Sequence, residues 1–378
     1  MKNNRTFLEK LLDGAEVEWK PLGEVTAYEQ PTKYLVSSTV YSDEFSTPVL
    51  TAGKTFILGY TDEEEGIYFA SKSPVIIFDD FTTANKWVDF DFKAKSSAMK
   101  MITSKDENIT LLKYIYYWLN TLPNNQLDSD HKRQWISNYA NKLIPIPPLS
   151  VQTEIVKILD ALTALTSELT SELILRQKQY EYYREKLLSE EELGKVGFEW
   201  KTLDQISENL DSKRKPITSG LRTSGKIPYY GASGIVDYVK DYIFDGDFLL
   251  ISEDGANLLA RNTPIAFSAS GKIWVNNHAH ILKFETYEER RFIEFYLNKI
   301  DLTPYISGAA QPKLNKKNLN SIKFPIPSIP EQQRIVSILD KFETLTNSIT
   351  EGLPLAIEQS HKRYEYYREL LLNFQGRE

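Results

Sequence analysis

PIPPLSVQTEIVKILDALTALTSELTSELILRQKQYEYYREKLL, residues 145–188, returns near the end of the chain as PIPSIPEQQRIVSILDKFETLTNSITEGLPLAIEQSHKRYEYYRELLL, residues 325–372. Ile155-Val156-Lys157-Ile158-Leu159-Asp160 recurs as Ile335-Val336-Ser337-Ile338-Leu339-Asp340 at an offset of 180. Tyr180-Glu181-Tyr182-Tyr183-Arg184-Glu185 recurs as Tyr364-Glu365-Tyr366-Tyr367-Arg368-Glu369 at an offset of 184. The second copy is therefore four residues longer in its middle, about one helical turn. A period near 180 is too long for a solenoid and implies a duplicated domain.

Both copies read as long helices. Ile155, Ile158, Leu162, Leu165 and Leu169 follow the 3-4-3-4 spacing of a coiled-coil seam. A step of four then leads to Leu173, and the seam continues through Tyr180 and Leu187. Such a step locally unwinds a supercoil. Thr166-Ser167-Glu168-Leu169 is repeated at once as Thr170-Ser171-Glu172-Leu173. In the second copy Ile335, Ile338, Phe342, Leu345 and Ile349 repeat the seam, and Gly352 with Pro354 predicts a kink. Each helix follows a Pro-rich lead-in that cannot itself be helical. About forty helical residues span roughly 60 Å. An apolar seam of that length needs a partner, and each copy is the natural partner of the other.

Two globular regions fill the rest. Short β-like runs dominate the first: Thr55–Tyr60, Ile67–Ala70 and Val75–Asp79, followed by a helix over about 106–120. The second has the same plan and a different sequence, with strands at Phe248–Ile251, Pro264–Phe267 and Lys272–Val275 and a helix over 287–299. Residues 5–13 form a short amphipathic helix whose Glu9-Lys10-Leu11-Leu12 matches Glu185-Lys186-Leu187-Leu188, and Val17-Glu18-Trp19-Lys20 resembles Phe198-Glu199-Trp200-Lys201. The order is circular: helix tail, globular region, long helix, globular region, long helix. Antiparallel long helices would bring the two chain ends together.

Composition narrows the class. The chain of 378 residues has ordinary apolar content for a globular protein, no cysteine and a net charge of −7. The absence of cysteine excludes disulfides and thiolate metal sites. No apolar run reaches membrane-spanning length. The charged N-terminus MKNNRTFLEKLLDG lacks the apolar core of a signal peptide, so the expected location is the cytoplasm.

Local charge is more telling than the total. Lys313, Lys316, Lys317 and Lys323 lie in an acid-free stretch, and Lys213-Arg214-Lys215 with Arg222 and Lys226 makes a second cluster. The Gly- and Ser-rich loop Tyr229-Tyr230-Gly231-Ala232-Ser233-Gly234 follows it. In the first region Lys93, Lys95, Lys100 and Lys105 lie near Trp87. Cations of this kind neutralise phosphates, and polar loop side chains read base edges; solvated surface charge is the plainer reading. Thr51-Ala52-Gly53-Lys54-Thr55 has the last residues of a phosphate-binding loop, but Pro48 stands where the pattern needs glycine. Asp245, Asp247, Glu253 and Asp254 could suggest a metal-dependent nuclease, yet their Asp-Gly contexts read as turns. Of the histidines His131, His278, His280 and His361, only His278 and His280 would share a strand face, with no third ligand in reach. No methyltransferase signature or other catalytic set is present. The tyrosine pairs and leftover apolar positions on the helices suit helix-on-helix docking of a partner.

The chain resembles, over its whole length, the specificity (S) subunit of type I restriction–modification systems. The resemblance is carried by Pro145-Ile146-Pro147-Pro148-Leu149 with Gln152, by Pro325-Ile326-Pro327 with Glu331 and Gln332, by the following IVxILD segments and by the YEYYRE repeats. It is carried further by Ile227–Gly234, Asn276-Asn277-His278-Ala279-His280 and Gln311-Pro312-Lys313-Leu314-Asn315, with Thr51-Ala52-Gly53 and Ala70–Pro74 in comparable places of the first region. It implies an α+β fold with two globular α/β target recognition domains separated by two long antiparallel coiled-coil helices, a pseudo-two-fold internal repeat. It also implies that each domain reads one half of a split double-stranded DNA sequence, that the helices act as spacer, and that two methyltransferase (M) subunits dock, with restriction (R) subunits joining them. S-adenosylmethionine, ATP and Mg then belong to the partner subunits and none to this chain.

On this reading residues 1–14 complete the circular repeat, 15–145 and 191–325 are the two recognition domains, and 146–190 and 326–378 are the spacer helices. The candidate DNA-binding residues are Lys72, Lys93, Lys95, Lys100, Lys213, Arg214, Lys215, Arg222, Lys226, Tyr230, Ser233, Lys313, Lys316 and Lys317. The candidate spacer and docking residues are Ile155, Ile158, Leu162, Leu165, Leu169, Leu173, Tyr180 and Tyr183 in the first copy and Ile335, Ile338, Phe342, Leu345, Ile349, Tyr364 and Tyr367 in the second. Two neighbouring readings fit some of the same residues: the specificity subunit of a type II system with a fused nuclease–methyltransferase, and a coiled-coil scaffold that binds no DNA. A third is a nuclease centred on Asp245, Asp247 and Glu253.

Overall fold

The computed structural model describes residues 7–53, 55–123, 133–308 and 311–374. Arg5 and Thr6 of the expected first helix, Lys54 and His131 lie outside them. Two compact units divide the chain: Met1–Leu169 with Ile357–Glu378, and Thr170–Ala356.

Each unit opens on the same antiparallel ribbon. Glu18–Pro21 pairs with Leu143–Ile146, setting Trp19 opposite Pro145; Phe198–Lys201 pairs with Phe324–Pro327, setting Trp200 opposite Pro325. Proline is tolerated because a two-stranded ribbon is all edge. A helix leaves each ribbon directly, and a glutamine fastens the junction. Gln152 Nε2 donates to the Pro147 carbonyl at 2.9 Å, and Gln332 Nε2 donates to the Pro327 carbonyl at 2.9 Å. About two turns further on, an aspartate ties the long helix to its own globular domain. Asp160 accepts from the Tyr117 hydroxyl and lies 3.6 Å from Lys113 Nζ. Asp340 accepts from the Tyr287 hydroxyl at 2.8 Å and from Arg291 at 2.8 and 2.9 Å. The repeated Gln and Asp are thus the two bolts of one clamp, present in both units.

In the first unit a four-stranded antiparallel sheet runs Thr26–Glu29, Met99–Ser104, Val75–Asp79, Asn85–Val88. A three-stranded sheet runs Ile57–Thr61, Thr47–Leu50, Lys93–Ala94. Helix Leu112–Leu119 buries Tyr114, Ile115 and Trp118 with Ile76, Phe78 and Ile102 of the sheet and Ile155 and Leu159 of the long helix. In the second unit a six-stranded sheet runs Glu208–Asn209, Ala279–Lys283, Phe244–Ser252, Ala266–Val275, Ser224–Gly231, Gly234–Val239. Helix Tyr287–Lys299 packs Phe292, Ile293 and Leu297 against Leu249, Ile251 and Ala266, and in the same core against Ile335, Val336 and Leu339.

Several sequence expectations are corrected. The run Ile67–Ala70 is not a strand; only Tyr68 bridges, to Phe92, because the chain turns at once through Ala70–Ser73. Ala266-Phe267 and Lys272–Val275 belong to one strand, Ala266–Val275, which Pro264 and Ile265 precede and which passes through Gly271 at φ 78°. Asp245 and Asp247 lie within strand Phe244–Ser252, paired with Lys272 and Ser270, rather than in a turn. Gly246, at φ 145° opposite Gly271, lets the ladder continue there. The first helix, Phe7–Leu12, precedes its ribbon strand as Glu190–Val196 precedes Phe198–Lys201. It is therefore the counterpart of that separate short helix, not of the long helix's tail. The tail's counterpart in the first unit is the chain end, where Leu371, Leu372 and Phe374 pack in one core with Leu8.

The central helix, Leu149–Leu187, is unbroken over 39 residues. The second copy is two helices, Ile329–Asn347 and Gly352–Leu372. The kink expected there is a full break over residues 348–351, as many residues as the second copy has in excess. Pro354 sits in the first turn of the new helix, where its missing N–H costs nothing. Gly352 makes the reversal: its φ is 82°, and a Cβ would lie 2.5 Å from the Thr344 carbonyl and 2.8 Å from that of Leu345. Gly352→Ala is expected to destabilise the protein by about 1–3 kcal/mol, read as a lowered thermal midpoint. No helix among the described residues is long and apolar enough to cross a membrane.

Candidate nucleic-acid interface

Loops from four parts of the second unit converge around the start of strand Ala279–Lys283. His280 is buried there, with Nδ1 2.6 Å from Asp211 and Nε2 2.7 Å from the Leu314 carbonyl. Arg214 donates to Glu253 at 2.7 Å and to the Ala279 carbonyl at 2.6 Å. Lys313 Nζ is 3.2 Å from the other oxygen of Glu253, and Leu314 N donates to the Glu253 carbonyl at 2.8 Å. Ser252 Oγ donates to the Ala232 carbonyl, Asn276 N to that of Tyr230 at 3.1 Å, and Trp274 Nε1 to that of Lys215 at 2.5 Å. The separate sequence signals Lys213–Lys215, Ile227–Gly234, Asn276–His280 and Gln311–Asn315 are therefore one locked cluster.

Burial alone would raise the Asp211 carboxyl, but the hydrogen bond and charge of His280, the Ile281 amide and Arg214 outweigh it and hold it below the usual carboxylate range. Burial also opposes ionisation of Glu253, and Arg214, His280 and Lys313 reverse that. Groups depressed in this way stabilise the fold above their unfolded pKa and lose that contribution as pH falls through the folded one. The acids expected to form turns or a nuclease centre are thus partly explained as counter-ions. Among the described residues no group of three His, Asp or Glu is arranged to hold a metal.

This network removes some candidates from the DNA-binding set. Arg214 is consumed by Glu253 and Asp211. Arg222 donates to Asp237 at 3.0 Å and to the Ile217 carbonyl at 3.0 Å while lying 4.3 Å over the Tyr229 ring. Tyr230 is half-buried and stacked on Phe267. Lys213, Lys215, Lys226, Ser233, Lys313, Lys316 and Lys317 remain exposed. Lys316 and Lys317 begin a short helix capped by Asn315. Replacing both by alanine is expected to weaken duplex binding across sequences, flattening the salt dependence by about one unit of slope for each phosphate no longer neutralised. Weakening confined to one base position would contradict a phosphate role.

The first unit corrects two more candidates. Lys93 is buried, 2.7 Å from Glu63 and 2.5 Å from the Glu65 carbonyl. Lys100 is buried 3.6 Å from Asp80, over the Tyr28 ring. Sequence spacing could not distinguish them from surface lysines, because their counter-ions are remote in the chain. Lys72 is exposed, 5.4 Å over the ring of Phe69, and Lys95 is half-buried, 5.7 Å from that of Tyr41. Phe69 itself is an exposed aromatic that charge-based reading overlooked.

The helices carry a mixed surface. In the first unit Ile155 is buried, Ile158 packs beside Tyr364 and Tyr367, and Thr166 Oγ1 meets Ser360 Oγ at 2.8 Å, an antiparallel arrangement. In the second unit Ile335 is buried, and Tyr180 and Tyr183 lie against Phe342, the latter stacked at 5.5 Å. Ile338, Leu345, Leu162, Leu169 and Leu173 are half-buried, while Leu165 is exposed. Ile349 is 78% exposed because it falls in the break, so it is no seam residue. Ile174, Leu175, Tyr182 and Tyr366 are also exposed.

Two domains of one plan, each bolted to a copy of the same helical segment, with a cluster of exposed cations on the second, define a duplicated protein. Residues 15–176 and 195–359 both match the family described as the type I restriction modification DNA specificity domain. The chain is 52% identical over 402 residues to the type I restriction enzyme EcoR124I/EcoR124II specificity subunit of Escherichia coli, covering 98% of this chain and 97% of that one. It is 31% identical over 388 residues to the EcoprrI specificity subunit of Escherichia coli, covering 92% of each. The fold matches the crystal structure of the type I restriction–modification S subunit from M. genitalium with a TM-score of 0.67 at 17% identity, over 96% of this chain and 98% of that one. The chain belongs to the type I restriction–modification specificity subunits and carries two recognition domains.

Proposed function

We propose that each recognition domain reads one half of a bipartite double-stranded DNA target, with the central helix setting the gap between the halves. The observation that carries this reading is the clamp. The same ribbon, glutamine and aspartate bind two domains of different sequence to copies of one helix. Such a joint holds a reader at a defined position while its loops are free to differ.

The exposed apolar and tyrosine positions on the helices, with Tyr182 and Tyr366 in matching places of the two repeats, suit two copies of a methyltransferase subunit. Restriction subunits would join that core. In this reading the chain supplies recognition and no catalytic group, and S-adenosylmethionine, ATP and Mg act in the partner subunits within the cytoplasm. The test is to express the chain with its methyltransferase subunit and map modified adenines across a genome. A two-part motif with a fixed gap, absent when this chain is omitted, is expected. A stable complex that directs no methylation would overturn the reading.

A further inference from the structure

The turn Asn276–His278 is an exposed loop of the second unit that is firmly held. Its backbone is tied at three points: Asn276 N donates to the Tyr230 carbonyl at 3.1 Å, His278 N to Asn276 Oδ1 at 2.8 Å, and Glu253 N to the His278 carbonyl at 2.9 Å. Asn276 is buried beneath it, while the His278 side chain is 51% exposed. The ring is oriented as well. Its Nδ1 faces both Asp254 oxygens, at 2.9 and 3.0 Å. A carboxylate only accepts, so Nδ1 carries a proton and Nε2 is the atom left to meet a ligand. Asp254 is fixed in turn by its bridge to Lys313, with Gly255 N donating to the Pro312 carbonyl at 3.1 Å. His278 shares this cluster with the exposed cations Lys213, Lys215, Lys313, Lys316 and Lys317. Its neighbour two residues on, His280, is buried and spent on holding the loops together. The two histidines thus divide the work between an internal tie and an outward group.

We infer that His278 is a DNA-backbone contact: on the bound duplex the ring is an imidazolium with a proton on each nitrogen, its Nε2–H donates to one phosphate oxygen beside the bases read by the second domain, and Asp254 keeps the Nδ1–H and so holds the ring in the donating orientation. A flexible lysine supplies charge wherever the duplex passes. A fixed imidazole on a locked turn supplies a donor already in place for one phosphate, as contacts that position a protein on the duplex do. The inference rests on the DNA-reading function proposed above.

The experiment compares His278→Ala, His278→Lys and Asp254→Asn in the complex with methyltransferase subunits. It measures duplex affinity against salt, thermal stability and the methylated motif. His278→Ala is expected to weaken binding about tenfold, equally on target and non-target duplexes, with the motif and the thermal midpoint unchanged. His278→Lys restores most of the affinity, because any donor of positive charge can replace a phosphate contact. Asp254→Asn falls between wild type and His278→Ala. Degeneracy at one base of the second half-site would overturn the inference in favour of a base reader. Reduced stability with no rescue by lysine would overturn it in favour of a structural role. A wild-type complex with no salt-sensitive duplex binding would bring down the functional reading itself, and this inference with it.

Discussion

Deleting Thr170-Ser171-Glu172-Leu173 from the central helix is expected to change the gap between the two DNA half-sites by about one or two base pairs and to leave both half-sites intact. Four helical residues are roughly 6 Å of rise, against roughly 3.4 Å per base step. The deletion falls inside an unbroken helix and removes none of the clamp groups: Gln152 and Asp160 lie before it, Gln332 and Asp340 on another helix. Four residues overshoot a whole turn by only about 40°, so the face beyond the deletion keeps nearly its original direction. The second copy already differs in length by four residues and takes up the difference in the break at 348–351. Mapping methylated adenines checks the outcome. A shifted gap with unchanged half-sites supports the spacer role, whereas altered bases within either half-site would show that the helix does more than set distance.

Replacing Arg291 by methionine is expected to destabilise the second unit by about 3–5 kcal/mol near neutral pH. Arg291 is buried between the helix that bears it and the long helix, 2.6 Å from Glu294 and 2.8 Å from Asp340, and it also donates to Glu343. Burial opposes its charge, but Glu294, Glu343 and Asp340 outweigh that and push its pKa up. Glu343 goes the other way: burial raises its carboxyl above the usual range in spite of Arg291. Removing the cation strands three acids in the bolt that fastens the second domain. The sign with pH follows. A carboxyl raised in the folded state opposes folding above its unfolded pKa, and that penalty fades as pH falls and the group protonates. The variant's deficit should therefore be largest near pH 7 and shrink toward pH 5. Thermal melts across that range decide it; a deficit that grew on acidification would mean that the network is not what the arginine stabilises.

The clamp also shows why parts of the site were legible in sequence and parts were not. Gln152 and Asp160 stand out because their roles are repeated at Gln332 and Asp340, so the repeat itself marks them. Their partners do not stand out. Tyr117 and Lys113 serve Asp160, while Tyr287 and Arg291 serve Asp340, and the two sets share no motif. A carboxylate needs only donors within reach, and different side chains on the facing helix can supply them. The same freedom hid the fate of Lys93, Lys100 and Arg214, whose counter-ions Glu63, Asp80 and Glu253 are remote in the chain.

Two features of this protein were determined by sequence alone. One is the duplication, because a register of identical residues survives whatever surrounds it. The other is the helical character of the repeats, because periodic apolar positions after a proline stop are a local property. Tertiary structure alone decided which cations face outward, which aspartates sit in a strand instead of a turn, and that the first helix answers to the short helix Glu190–Val196. Burial and ion pairing depend on residues brought together from distant parts of the chain, and no local pattern of charges carries that information.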